Sequence, residues 1–509
     1  QHRRFSSDTR GDVIDHCRLR LYAQPWRCSQ PTSAWNNRQR EIPVDMHLKA
    51  GVRQIDITPP IGVTMSGYGS RDHASEGVLQ PLSAVAIAFE QGDQACGLIV
   101  ADLIGVELDF TQAVRDRVAE LSNLAPERVF VCATHTHWGP ALEPTDYLPT
   151  HLNASVSPEY TGHLALRLAS VLIEAWNARE PAVAMAGTGE ANLVSFNRRP
   201  VTTEGKVAMS LTMNLKQATA ASAEGARLAR TWLKGGGPGK RLSEPLECLG
   251  GVRAGVSDPS VPVLKLVRPD GSPIAAAFSF GCHAVCGADM DTFYMNSPDW
   301  PGCAREVFER LLGCPAMVMA GACGDQVPRV RRGDARKRVG HSVGAEALRV
   351  WELLDGAGIG PLGVASRTVR VPVRDLPTVE QAQGALAAKP DPGGTGAVVE
   401  RQILGLATKY GHLKAMEFEL WAMGLGDQWG LVGLPGEILD EIGLQIKQQS
   451  PFEHTTVVEL ALACPGYFPT DAARREGGYE PMWSPAGEGA EAALVEGAVA
   501  VLRDALGSE

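Results

Sequence analysis

The sequence predicts an α/β or mixed α+β protein, a large mixed β-sheet core flanked by helices with a site at the C-terminal ends of its strands. Three observations lead there. After Met46, short apolar runs alternate with amphipathic helical stretches. Five of those runs end in polar motifs, four of them carrying glycine, the pattern of strand exits that open onto a site. The composition, 44% hydrophobic and 21% charged over 509 residues, supplies a core of that size.

The elements follow in order. Residues 82–90 and 96–101 read as two buried strands joined by a Gln-Gly-Asp-Gln turn. Residues 111–122 read as a helix, with Val114, Val118 and Leu121 on one face. Residues 128–133 form a short apolar strand and 158–177 a long amphipathic helix. Further strands are expected at 274–280, 315–320, 429–434 and 456–462, and helices at 300–312, 335–354 and 437–448. Residues 233–240 and 389–396 are loops on composition. Residues 1–45 have neither an apolar h-region nor a regular period, so they are expected to be a disordered or non-native extension. Residues 46–509 are expected to form a single catalytic domain.

The bulk numbers exclude some classes. A net charge of -10 argues against nucleic acid as a partner. No run of apolar residues is long enough for a transmembrane span. The eleven cysteines are odd in number and lack a Cys-x-x-Cys spacing, so reduced thiols in a cytoplasmic protein are expected. Cys132, Cys282, Cys323 and Cys464 lie near the motifs and read as small buried hydrophobes.

The chemistry sits at the five strand exits. Strand 128–133 runs into His135-Thr136-His137, 274–280 into Gly281-Cys282-His283, and 315–320 into Gly321-Ala322-Cys323-Gly324-Asp325. Strand 429–434 runs into Pro435-Gly436-Glu437 and 456–462 into Pro465-Gly466-Tyr467. On extended backbone His135 and His137 share a face, and imidazole is a favoured zinc ligand. The alternative is two turn residues bonded locally. His283 is a third nitrogen donor or a satisfied buried histidine. Glu437 is an oxygen donor or a carboxylate at a helix start. Tyr467 is an oxygen ligand, a hydrogen-bond donor or a core aromatic. Arg198 and Arg199 are a cation for an oxyanion or a solvated loop pair. Asp299 reads as a helix cap, and Asp102 as a hydrogen-bond acceptor for a ligand histidine.

Together these residues resemble the neutral/alkaline, non-lysosomal ceramidases, in their N-terminal catalytic domain, over roughly residues 49–490. Ala-Gly-Val-Arg-Gln-Ile-Asp-Ile-Thr-Pro-Pro-Ile-Gly at 50–62 and Ser66-Gly67-Tyr68 begin the match. Ala-Thr-His-Thr-His-Trp-Gly-Pro at 133–140 is similar to the family's Thr-His-Thr-His-Ser-Gly-Pro. Asn197-Arg198-Arg199-Pro200 resembles its Asn-Arg-Ser-Pro, and Gly324-Asp325 falls where it has Gly-Asp-Val-Ser-Pro. The resemblance implies a Zn2+ amidase that cleaves the N-acyl bond of a lipid or small-molecule amide with zinc-activated water. It implies His135, His283, Glu437 and Tyr467 as zinc ligands. His137 would be the general acid/base, with Arg198 and Tyr479 at the oxyanion. Two departures bear on ceramide as the substrate and not on the zinc shell. Val327 stands where the family has serine, and the chain length leads us to expect no C-terminal immunoglobulin-like domain. An ester, lactone or small-amide hydrolase, or a non-catalytic metal- or lipid-binding relative, would share these residues.

Overall fold

The computed structural model describes residues 47–202, 205–207, 252–253, 255–287, 290–356 and 358–507. The expected extension at 1–45 and the loop at 233–240 lie outside these residues. All described residues belong to one compact unit.

Three sheets carry the fold. The first runs Val129–Ala133, Gln94–Ala101, Ser83–Gln91, Lys49–Asp56 and the short Glu180–Pro181. The second runs Ala316–Ala320, Pro273–Phe280, Ser260–Val267 and Val183–Glu190. The third runs Leu362–Pro372, Ala415–Leu425, Trp429–Gly433 and His454–Val458. Each sheet is antiparallel except for one parallel pair at an edge. All five motif-bearing strands lie in those three pairs.

Period-2 alternation explains how the sheets pack. Val85, Ile87 and Phe89 enter a central core, while Ala84, Ala86 and Ala88 face helices. In the second sheet Ala275 and Ala277 point to the same central core, and Ala276, Phe278 and Phe280 point away. In the third, Trp421, Met423 and Leu425 face it, and Leu420 and Ala422 do not. The three inner faces therefore share one apolar centre, and helices cover each outer face.

Those helices follow from their apolar stripes. Pro158–Asn177 starts at Ser157, whose hydroxyl accepts the Tyr160 N–H. It buries Leu164, Leu168, Val171, Leu172 and Ala175 on the first sheet. Asp299–Leu311 and Ala335–Leu353 cover the second sheet, and Asp440–Gln449 and Ala490–Leu506 cover the third. No described helix is long and apolar enough to cross a membrane.

Most expected elements appear, with Pro158–Asn177 on its expected bounds. Four depart for physical reasons. The apolar run expected as strand 456–462 leaves the sheet after Val458, because Leu460 and Leu462 take left-handed φ of 55° and 65°. This turn carries the chain across to the other sheets. Glu459 N–H donates to Ala320, and Leu462 N–H donates to Val131. The helix expected from 437 begins at Asp440, because Glu437–Ile438 pairs in parallel with Tyr467–Phe468. Asp299 is the first residue of its helix and not its cap; its carboxylate accepts the Cys286 and Trp300 N–H groups. Asp102 receives Arg305, Thr134 and the Ser83 N–H, and among the described residues no histidine.

Gly433 lies at the exit of its strand, where the third sheet meets the first. A Cβ there would lie 2.2 Å from the Phe130 ring. Gly433→Val should therefore destabilise the fold by about 1–3 kcal/mol. A lower urea midpoint at unchanged slope checks it; an unchanged midpoint would mean that the sheets do not pack this closely.

Candidate metal centre and its cleft

The strand exits bring three histidines to one point. Nitrogens of His135, His137 and His283 lie within 4.8 Å of one another. Each ring is held by its other nitrogen. His135 Nδ1 lies 2.7 Å from the Ile104 carbonyl, and His137 Nδ1 lies 2.9 Å from the Gly67 carbonyl. His283 Nδ1 lies 2.6 Å from the Cys323 carbonyl and 3.1 Å from that of Gln326. A carbonyl can only accept, so each Nδ1 carries a proton, and in the neutral ring Nε2 presents its lone pair. This is how protein carbonyls orient metal-ligating imidazoles.

The backbone contributes strain. His135 is buried and has a left-handed φ of 63°, a conformation that a β-carbon disfavours. In that conformation it reaches Ile104, just beyond the strand Gln94–Ala101.

Oxygen donors complete the cluster. One Glu437 oxygen lies 3.3 Å from His135 Nε2 and 3.1 Å from His283 Nε2. His137 meets the group through His135, at 3.4 Å between their Nε2 atoms. Tyr467 pairs with Glu437 through the parallel bridge, and burial together with the Glu437 charge pushes its hydroxyl well above the ordinary range. Burial would raise the Glu437 carboxyl, but His135 and then His283 hold it well below the usual range. Burial opposes the charge on His135, and Glu437 overrides it to raise the imidazole. Burial, with Arg198, pushes His283 down to about 4. Burial, with His135 and His283, lowers His137 well below its ordinary value. Two imidazoles, a carboxylate and a phenol suit zinc in donor type, and a five-coordinate ion would keep a position for water. His137 adds a third nitrogen beside His135.

Arg198 stands beside these donors. Its Nη2 lies 3.3 Å from the Tyr467 hydroxyl and donates to the Gly324 carbonyl at 2.7 Å. Its guanidinium lies 5.7 Å and 5.6 Å from the Tyr467 and Tyr479 rings. Burial works against the charge, but Tyr467 and Glu480 hold it well above the ordinary value. Arg199, its expected companion, turns away from the donors to Glu480 and the Gly477 carbonyl. Asp325 anchors the pair: its carboxylate accepts Asn197 Nδ2 at 2.6 Å, and its carbonyl accepts the Arg198 N–H at 2.8 Å.

Three residues that shape the site escaped the sequence reading. Glu480 has no solvent exposure and binds both Arg198 and Arg199. Its only sequence signal is its place after Tyr479. Glu459 and Arg71 are likewise wholly buried charges, each next to a motif.

The donors open into a cleft of 1190 Å³. His135, His137, His283, Glu437, Tyr467, Arg198 and Tyr479 all line it. So does Val327, which packs with Met65, Trp138 and Val285. Glu107, Asp109, Glu143 and Asp146 also line the cleft, among apolar Phe110, Leu142, Val398 and Leu406, with Lys409 and Arg401 as nearby cations. Burial pushes Glu107 up to about 7.

Glu480 pairs with two buried guanidiniums at once. Its replacement by alanine should cost about 3–5 kcal/mol, because Arg198 loses its carboxylate partner and Arg199 keeps only Glu476, at 3.9 Å. Denaturant unfolding of Glu480→Ala checks this; a loss below about 1 kcal/mol would mean that the network is not desolvated.

No protein-family model matches the chain, and no curated protein matches it. Solved structures do. A neutral ceramidase from Pseudomonas aeruginosa superposes with a TM-score of 0.64 at 20% identity, covering 90% of this chain and 75% of that one. A ceramidase complexed with C2 gives a TM-score of 0.63 at 18% identity, with the same coverage. At these identities the likeness establishes architecture, so the chain has the fold of the neutral ceramidases over nine-tenths of its length.

Proposed function

We propose that the chain is a zinc-dependent amidohydrolase that cleaves an N-acyl amide bond. One observation carries the reading: three imidazoles each hold a backbone carbonyl through Nδ1 and gather at one point, two of them with Nε2 beside a Glu437 oxygen. A ceramidase fold around that cluster supports it.

His135, His283, Glu437 and Tyr467 would hold the metal, since Glu437 touches both of those histidines. When bound, zinc supplies Lewis-acid polarisation of the scissile carbonyl and lowers the pKa of water toward about 7. His137 is left as the proton carrier. Burial keeps it neutral, and its Nδ1–H bond to Gly67 leaves Nε2 free to accept. It takes a proton from the attacking water and returns it to the leaving amine. Arg198, charged and held on three sides, faces the developing oxyanion together with Tyr479. No serine nucleophile is required, which agrees with Val327.

A second reading keeps the site and changes the substrate to an ester, a lactone or a small polar amide. The four carboxylates in the cleft lining, Glu107, Asp109, Glu143 and Asp146, favour it, because a carboxylate is poor company for a long alkyl chain. A panel of N-acyl, ester and lactone substrates of graded chain length separates the two. A non-catalytic relative would have no need of the complete donor set.

His135→Ala and His283→Ala should each lose both zinc and hydrolysis. His137→Ala should keep most of its zinc and lose about 10²–10⁴ in turnover. Metal analysis beside the substrate panel checks this; full zinc in both ligand variants would overturn the assignment. Removing the metal with a chelator should abolish turnover, and added zinc should restore it.

A further inference from the structure

Arg71 is a buried charge that the proposed reaction leaves unused. It has no solvent exposure. Among the described residues its hydrogen bonds all go to backbone carbonyls. Nη1 donates to Ser66, and Nη2 donates to His137 at 2.9 Å and to Phe293 at 3.0 Å. Nε donates to Phe293 at 3.3 Å. The guanidinium lies 5.0 Å from the Tyr68 ring centroid and 4.8 Å from that of Phe293. Burial lowers its pKa to about 10, which still leaves it charged. A buried cation without a carboxylate partner is costly, so its placement calls for a reason.

The reason lies in what its two arms join. Ser66 precedes Gly67, whose carbonyl takes the His137 Nδ1–H. The other arm holds the His137 carbonyl itself. The guanidinium thus bridges the peptide before the acceptor and the residue that donates to it. Gly67 lies hard against His137: its φ is +96°, and a Cβ would come 2.7 Å from His137 Cβ. Gly67 N–H is bonded in turn to the Tyr147 hydroxyl at 3.1 Å. The ring, its acceptor and the clamp form one rigid unit.

We propose that Arg71 is a positioning residue for His137. By spanning the Ser66 and His137 carbonyls it holds the Gly67 carbonyl against Nδ1, keeps the proton there, and presents Nε2 to the cleft. A lysine is a point charge and cannot span both carbonyls with the same planar fork. The inference rests on the reading of His137 as the proton carrier.

The test combines ring-15N-histidine NMR with kinetics on the full chain, for wild type, Arg71→Met, Arg71→Lys and His137→Ala. The His137 signals are those missing from His137→Ala. Wild type should show the Nδ1–H tautomer, Arg71→Met a mixture, and Arg71→Lys an intermediate pattern. On an N-acyl substrate, Arg71→Met should keep its zinc, lose about 10–100-fold in kcat, and leave KM nearly unchanged. Added to His137→Ala, the same substitution should cost nothing more. An unchanged ring spectrum in both Arg71 variants, or a full further loss in the His137→Ala background, would overturn the proposal. If Arg71→Met does not fold, Arg71→Lys decides by the same ring spectrum. If wild type hydrolyses no acyl substrate, the hydrolase reading fails, and the ring spectrum still decides the role of Arg71.

Discussion

Glu459 is the point on which the three sheets depend. It has no solvent exposure, and its carboxylate accepts the N–H groups of Cys323 at 2.9 Å and Ile438 at 2.8 Å. Its own N–H donates to Ala320. One side chain thus ties an exit of the second sheet to the segment beside Glu437. The next residues continue the connection. Leu460 and Leu462 accept left-handed backbone, a strain of about 1–2 kcal/mol each, and Leu462 then bonds to Val131 in the first sheet. Because Cys323 is fixed, its carbonyl meets His283. Because Ile438 is fixed, Glu437 reaches both His135 and His283.

The same arrangement explains why so much charge is buried at this end of the protein. Glu437, Arg198, Arg199 and Glu480 stand in or beside a region shielded from water, where polar groups interact strongly and unpaired ones are costly. Each is placed by a group from a different part of the chain. Arg198 and Glu480 lie 282 positions apart, and His283 and Glu437 lie 154 apart. Parallel strand pairs make this workable. Their exits point the same way, so loops distant in sequence arrive side by side.

That geometry also sets what could be read without coordinates. The five strand exits were legible, since each joins an apolar run to a histidine, acid or tyrosine beside a turn. The helix Pro158–Asn177 was legible from its amphipathic stripe. The strand Ala415–Leu425 escaped, because Ala-Met-Glu-Phe-Glu-Leu-Trp fits a helical stripe as well as a strand. Val183–Glu190 escaped because small residues and glycines give it little strand signal. Arg71, Glu459 and Glu480 escaped because a lone charge in a sequence reads as surface. Only tertiary contacts show that it is buried and bonded. Asp102 was misread for the related reason that its partner, Arg305, lies 203 positions away.

The account turns on a division of labour among three histidines whose nitrogens lie within 4.8 Å of one another. The X-ray absorption spectrum of the zinc-loaded protein at the zinc edge tests this division most directly. It should show two imidazoles and two protein oxygen ligands, with a further position for water, unchanged in His137→Ala. A shell of three imidazoles that falls to two in His137→Ala would contradict it, because His137 would then be a ligand and not the proton carrier.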